Sequence, residues 1–462
     1  MLLDKYLTEY DENLSGETYI DPLGMLVIWS EFGRKIFKNR VNSIANDVRN
    51  YTLNLFNHYL IRLLIQDESV TLKKAMEQEY RVKDCVQFKN ACLVYLENLF
   101  VYSIVKHESD EKVDSSAVLG IVKARRLWND YKENPPLKFT HDSSGHILVR
   151  QLSLGVSGRY KTPMVEIGYF DANYNYQMPK SVELWAGVKR FIESSPKLKQ
   201  LSEVVYEHIE SILAQNKLIP ETSFKNIPES LHKNYVLAFA SAGVVGQYAR
   251  NYWLQATGLN TGAAGAIMQV LDENAANNPT VIIDEKQLIS LAKKNLSGNR
   301  EELIKMEQIE LLEPFLADVS LLFILLTSKK SHSLKDVTSL WEKFDRNENS
   351  LPSGAMSVLG SPAVLSSLSG TAFMRLSALL KLSGVSNFQK QITLLIEYHK
   401  SVMEGRGQYS WLGISDDDLV QVQARPSRLP ECSEWQSGCW FNNYYIPQFK
   451  FLVNGYQGRV KA

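Results

Sequence analysis

The sequence lacks most of the short patterns that give a function away. It has no G-x-x-x-x-G-K-[ST] phosphate loop, no G-x-S-x-G nucleophile elbow, no H-E-x-x-H zinc helix and no Rossmann glycine fingerprint. Those absences remove the local signatures of P-loop ATPases, α/β-hydrolases, zincins and dinucleotide enzymes. They leave open a Ser, His and Asp constellation assembled from distant residues. Cysteine is scarce, with four in 462 residues, which fits a reducing compartment. Cys85 and Cys92 lie two helical turns apart, as small core residues do, and the C-x6-C spacing of Cys432 and Cys439 is not that of a zinc pair. Charge of one sign is missing too. Fifty-one Lys/Arg balance fifty-one Asp/Glu, so global charge points to neither nucleic acid, membrane surface nor acidic partner.

Long hydrophobic runs are also absent. None reaches the ~18 residues a membrane span needs, and the longest candidate, 85–105, is interrupted by Lys89 and Glu97. The opening "MLLDKYLTEYDENLSGE" has neither the basic start nor the apolar stretch of a secretory signal. A soluble, cytoplasmic protein is expected. Neither a solenoid-period repeat nor a low-complexity tract is present.

What remains is ordinary globular material, 45% hydrophobic and 22% charged, enough for two or three domains. The periodicity predicts a mainly α fold of multi-helical bundles. It adds a small β-hairpin insertion of winged-helix type and an irregular aromatic C-terminal segment. Four segments follow from it. Residues 1–110 form a helical domain, in which Ile44, Val48, Leu55, Tyr59 and Leu63 share a face and Ser43 caps the helix. A charged break, "KHESDEKVDSS", separates it from a basic region, 117–178. There the helix "AVLGIVKARRLWNDYK" must stop at Pro135-Pro136, and "LKFTHDSSGHILVRQLSLG" reads as strand, turn, strand, with "GVSGRYKTP" as a loop. Helices return over 181–345, including one long helix through "ESLHKNYVLAFASAGVVGQYARNYWLQATG". "DRNENSLPSGAMSVLGSP" reads as a connection into a last helical domain, 361–462, with Ser361-Pro362 as cap and first turn.

The stretch "NNPTVIIDEKQ", 277–287, admits three readings. As a Walker-B strand it lacks its phosphate loop. As a metal-dependent nuclease of the PD-(D/E)xK type it would use Asp272, Asp284 and Lys286, carboxylates to hold Mg²⁺ and a lysine to help activate the attacking water. As plain structure it is a strand running into a helix, with Asp284 and Gln287 close to a capping box and Lys293 and Lys294 suiting the helix end. The structural reading accounts for the most residues. "GLNTGAAGAIMQV" could present backbone N–H groups to an anion, but it contains no cation, so close helix packing is preferred. His141, Asp142 and His146 flank the expected turn without a third strong metal ligand.

Residues 121–161 carry eight Lys/Arg against three acidic residues. Lys123, Arg125, Arg126, Lys132, Lys138, Arg150, Arg159 and Lys161 could neutralise phosphates, with the hairpin as a wing. "WQSGCWFNNYYIPQFKFL" crowds Trp435, Trp440, Phe441, Tyr444, Tyr445, Phe449 and Phe451 together. Such a cluster is either an interface or a tail filling a groove of its own core. With the helical bundles and the basic region, "WFNNYYIPQFKFL" resembles the large accessory subunits of bacterial DNA-restriction and anti-phage complexes, most closely over 430–455. The resemblance implies a catalytically silent subunit beside a separate ATPase or nuclease, and it carries over no catalytic position. The expectation is therefore a scaffold or adaptor in a protein assembly near DNA, with no cofactor, no metal and no membrane. A metal-dependent nuclease and a stand-alone winged-helix DNA binder are the alternatives.

Overall fold

A computed structural model describes residues 21–277, 280–296, 298–415 and 419–459. The chain is mainly α, with two small antiparallel sheets among the described residues. Its contacts divide it into two units, each made of separated pieces: residues 1–36 with 282–444, and residues 37–281 with 445–462. The four consecutive segments expected from the sequence are not these units.

Helix α1 (Leu26–Ile36) belongs to the first unit. The second unit follows with α2 (Val48–Gln66), α3 (Lys74–Tyr80), α4 (Val86–Lys106) and α5 (Ile121–Asp130). Next come strand β1 (Pro136–Lys138) and the short helices α6 (Gln151–Leu154), α7 (Val156–Arg159) and α8 (Lys161–Ile167). Then follow α9 (Ser181–Ser194), α10 (Pro196–Leu213), strand β2 (Glu221–Ser223), α11 (Glu229–Phe239), α12 (Ala242–Thr257) and α13 (Gly262–Asn277). The first unit resumes with α14 (Glu285–Lys294), α15 (Arg300–Thr327), strand β3 (Ser331–Ser333), α16 (Leu334–Lys343) and α17 (Ser350–Leu359). It continues through α18 (Pro362–Ser366), α19 (Gly370–Ser383), α20 (Phe388–Glu404) and strands β4 (Leu412–Ile414) and β5 (Leu419–Val422). Helix α21 (Ile446–Gln457) ends the second unit.

In the second unit α2 and α4 pack on each other and are buried nearly all round, as befits central helices. Asp47, not Ser43, caps α2: its side chain accepts from the Arg49 N–H at 2.7 Å. The Cys85 sulfur plays the same part for α4, taking the Phe88 N–H at 3.3 Å. The charged break at 106–116 is no boundary. The buried Arg49 guanidinium donates to the Asp114 and Ser116 carbonyls and so ties that stretch to α2.

The expected hairpin does not form. Only Pro136–Lys138 is a strand, and it pairs with Glu221–Ser223. The backbone groups that a second hairpin strand would use are taken by side chains: Gly145 O accepts from Asn98 at 2.7 Å, and the Ile147 N–H donates to Gln151 Oε1 at 2.7 Å. "GVSGRYKTP" likewise folds as α7 and α8 rather than a loop. The long helix expected through 229–258 breaks at Ser241, which is extended and caps α12 by accepting from Val244 N–H.

The first unit is organised on α15, which packs against α1, α14, α16, α17 and α18. Strands β3, β5 and β4 form its sheet, with β5 central. The expected connection at 345–362 holds α17 instead. A Cβ on Gly354 would sit 3.1 Å from the Phe315 ring, so its glycine serves close packing on α15 rather than a turn. Pro362 does occupy the first turn of α18, although the Ser361 side chain makes no cap bond. The expected irregular C-terminus contains α21, and "TVII" is coil with Val281 and Ile282 exposed.

Helices α12 and α21 meet backbone to backbone. A Cβ on Gly246 would lie 2.0 Å from Gly455 O, whereas one on Gly243 would lie 3.4 Å from Gly458 Cα. Gly246→Ala is therefore expected to lower unfolding free energy by about 2 kcal/mol or more. Gly243→Ala should change it little. Denaturant midpoints of the two variants check the contrast.

Candidate functional site

The residues proposed for nuclease chemistry are each engaged elsewhere. Asp284 caps α14, accepting from the Gln287 N–H at 2.7 Å, and Lys286 donates to Gly438 O at 2.8 Å. Asp272, on α13 in the other unit, holds the end of α21. Gln457 Nε2 donates to its two oxygens at 3.0 and 3.1 Å, and Arg459 Nη2 reaches it at 3.3 Å. Neither unit contains both carboxylates. Among the described residues no group of three His, Cys, Asp or Glu is placed to hold a metal ion. His141 lies 3.8 Å from Glu79 and 3.7 Å from Asp142, while His146 Nε2 stands 3.1 Å from the His141 carbonyl.

The basic residues are dispersed. Lys123, Arg125 and Arg126 sit on α5, Lys138 on β1, Arg150 before α6, Arg159 at the end of α7 and Lys161 at the start of α8. Arg125 forks onto Glu108, with Nε at 2.8 and 3.1 Å from the carboxylate oxygens, and also donates to Ser115 Oγ. Arg126 stands 3.9 Å from Asp130. The Lys161 ammonium lies over the Tyr174 ring, 4.2 Å from its centre. Lys132 and Arg150 are exposed. Without the hairpin there is no wing for them to frame.

The aromatic cluster is largely spent on its own core. Trp435 and Tyr444 are buried in the first unit, and Phe449 is buried in the second, 4.6 Å from the Phe37 ring. Trp440 and Tyr445 are half-buried, and Phe441 is 40% exposed. Two buried ionic groups fix this stretch. Glu313 of α15 accepts from Trp29 Nε1 at 3.0 Å, from the Phe441 and Asn442 N–H groups at 2.7 Å each, and from the Tyr444 hydroxyl. Arg346 bridges Asp318, at 2.9 and 3.1 Å, to the carbonyls of Phe344, Trp435 and Gln436.

The second unit hides a polar interior that the sequence reading missed. Glu97 of α4 is fully buried; it accepts from the Ser157 N–H at 2.6 Å and from Gln151 Nε2 at 3.1 Å. Gly155 lets α7 come this close, since a Cβ there would fall 2.3 Å from Glu97 Oε2. A small cavity lined by Glu97, Asn98, Ile147 and Gln151 has room for about one water. On α2, Asn54 and Asn57 are fully buried with neither amide hydrogen-bonded. His58 Nδ1 is hydrogen-bonded with the Tyr176 hydroxyl at 2.7 Å, and its Nε2 is buried without a partner. Each such group costs ~1–3 kcal/mol. Asn57→Leu is therefore expected to leave unfolding free energy unchanged or to raise it by up to ~2 kcal/mol. A urea titration showing a clear loss would mean that the amide is bonded.

The first unit carries an opposite feature at its surface. From residue 349 to 374 there is no ionisable side chain, where the chain's 22% charge would place about six charged residues. This stretch forms α17, α18 and the start of α19, which pack on one another. Their exposed positions include Met356 (65% exposed), Leu359 (50%), Phe373 (43%) and Met374 (62%). The signal was compositional and lay in plain view, but its Gly, Ser and Pro content read as a connection.

Burial pushes the Glu97 and Glu313 carboxyls up to about 7, from an ordinary 4.5. The folded chain thus holds these protons more tightly than the unfolded one. The stability they contribute is complete below about pH 4.5 and is lost as pH rises through 7. Burial lowers His58 to about 3 and both His208 and His232 to about 4, and it also lowers His107, His146, His332 and His399; unfolded imidazoles still bind protons near pH 6.5, so these rings act in the opposite sense and make stability rise with pH there. Between about pH 5 and 8 the melting temperature of the wild type should therefore fall relative to that of the Glu97→Gln, Glu313→Gln double variant, which lacks the two carboxyls and keeps the histidines. Equal slopes in a calorimetric pH series would refute this. No protein-family model, no curated protein and no solved structure matches the chain.

Proposed function

We propose that this chain is a non-catalytic, protein-binding subunit of a larger assembly. The observation that carries this reading is the stretch 349–374, which has no ionisable side chain yet presents Met356, Leu359, Phe373 and Met374 to solvent. Protein interfaces are depleted of charge at their centre and enriched in methionine and aromatic residues, and such a patch on a free surface marks an interaction site. A phosphate backbone or an anionic membrane would instead call for lysine and arginine on that face.

The carboxylates singled out for catalysis support the same reading, because each performs a structural task. The resemblance to accessory subunits of restriction and anti-phage complexes supplies a class of partner, an ATPase or nuclease that acts on DNA. Affinity isolation of the tagged chain from its native host tests this. Wild type is expected to retain stoichiometric proteins that include such an enzyme, and Met374→Glu to lose them by at least tenfold while staying folded. Recovery of the chain alone, or equal recovery with the variant, would overturn the reading. Incubation with DNA and Mg²⁺ should give no cleavage that depends on Asp284; Asp284→Ala should cost only the helix cap, about 1 kcal/mol of stability.

A further inference from the structure

We propose that one end of the three-stranded sheet in the first unit binds single-stranded nucleic acid, with four cations for its phosphates and a tyrosine ring for a base. The inference goes beyond the protein-binding reading and uses other residues of the same unit. Three stretches of chain, 319–335, 405–415 and 419–430, contain the strands of this sheet. They carry Lys329, Lys330, Lys335, Arg406, Arg425 and Arg428 but no Asp or Glu. With 51 acidic residues in 462, about four would be expected among so many positions. Arg406 is tied to Asp21, and Lys335 lies beyond the far end of β3. Four cations remain.

Antiparallel pairing gathers them. At this end β3 and β4 begin and β5 finishes, so Lys329 and Lys330 lead into β3, Tyr409 precedes β4, and Arg425 and Arg428 follow β5. The pairing continues past the strands: Val422 N–H donates to Lys330 O at 2.9 Å, Gln423 N–H to Trp411 O at 2.8 Å, and Ser427 N–H to Thr327 O at 2.9 Å. These side chains therefore rise from adjacent chain segments spaced about 5 Å apart. All four cations are exposed, and none forms an ion pair or a side-chain hydrogen bond with a described residue. That separates them from α5, where Arg125 and Arg126 each face a carboxylate. Asp336, whose charge is felt at Lys329, is held by the Ser333 N–H and hydroxyl at 3.0 and 2.8 Å. Like charges crowded without counter-charges favour a polyanion, which relieves their repulsion and releases its own counterions.

Tyr409 selects among polyanions. It is 93% exposed, whereas Tyr131, the next of the described aromatic residues, is 50% exposed. A ring this free can stack on an unpaired base, which is worth roughly five- to a hundredfold in affinity. A duplex keeps its base faces stacked inside, and membrane anchoring takes a whole apolar face beside the cations. Neither uses a single free ring.

Fluorescence anisotropy of a labelled oligothymidylate of about 20 nucleotides, titrated with the purified full chain, tests the proposal. A dissociation constant on the order of 10 µM is expected at about 50 mM salt, weakening about fiftyfold by about 200 mM, the slope for roughly four phosphates. The double variants Lys329→Ala, Lys330→Ala and Arg425→Ala, Arg428→Ala should each make the logarithmic salt slope shallower by about 1.4. Tyr409→Ala should weaken binding at least about fivefold at every salt concentration and leave the slope unchanged. Lys189→Ala, on α9 of the second unit, should alter neither quantity, and circular dichroism should be the same for all. Absence of binding by the wild type at about 50 mM salt would overturn the proposal. So would charge variants that keep the wild-type slope, a Tyr409→Ala chain that binds as wild type does, or attachment to phosphatidylserine vesicles without attachment to the oligonucleotide. Met374→Glu should bind the oligonucleotide as wild type does, so failure here and failure of the protein-binding reading are distinguishable.

Discussion

A single carboxylate closes the first unit. Glu313 sits within α15, and its two oxygens collect the indole of Trp29 from α1, two backbone N–H groups at Phe441 and Asn442, and the Tyr444 hydroxyl. These donors come from stretches separated by hundreds of residues, so no local propensity brings them together. A buried carboxylate is expensive unless its lone pairs are filled, and here the filling groups are the ends of the unit. The interaction also explains why the aromatic segment cannot hang free: its backbone provides two of the donors. Arg346 repeats the device from the next loop, fixing the carbonyls of Trp435 and Gln436. The helices packed on α15, including the charge-free group, rest on a frame that these two residues secure.

The helices were legible wherever their apolar periodicity was long. Leu198, Leu201, Val205 and Ile209 of α10 line the buried face expected of them, and Asp284 caps α14. The misreadings share one cause. Side chains distant in sequence satisfied backbone groups, or filled space, that local patterning assigned otherwise. Asn98 and Gln151 take the carbonyl and N–H of a hairpin that then has no reason to form. Phe315 turns the glycine of "LPSGAMS" from a turn signal into a packing contact. Ser43 looks like a cap until Asp47, four residues on, takes the helix start. The interior of α2 was harder still. Asn50, Asn54, Asn57 and His58 lie on one stripe that would ordinarily face water, and only the surrounding helices show that it is buried.

Both units bury polar groups, and each also carries a feature of its own. The second unit places amides and an imidazole in its interior, whereas the first keeps a stretch without charge at its surface. Charges that looked catalytic in the sequence (Asp272, Asp284 and Lys286) bind chain ends and loop carbonyls. Fold stability claims them. Met356, Leu359, Phe373 and Met374 of α17 and α19 stay exposed, and the proposed protein-binding role rests on them.

The interleaved course of the chain has a consequence for biosynthesis. Helix α1 leaves the ribosome first, yet α15 and α19, on which it packs, begin only at Arg300 and Gly370. At ~5–20 residues per second the wait is roughly 10–50 s, during which the whole second-unit stretch from Phe37 to Val281 is made. Throughout that interval Trp29, Phe32 and Ile36 have no native surface to cover them. A nascent chain in that condition is a natural client for a holding chaperone, and a fragment truncated before α15 would present the same uncovered face permanently.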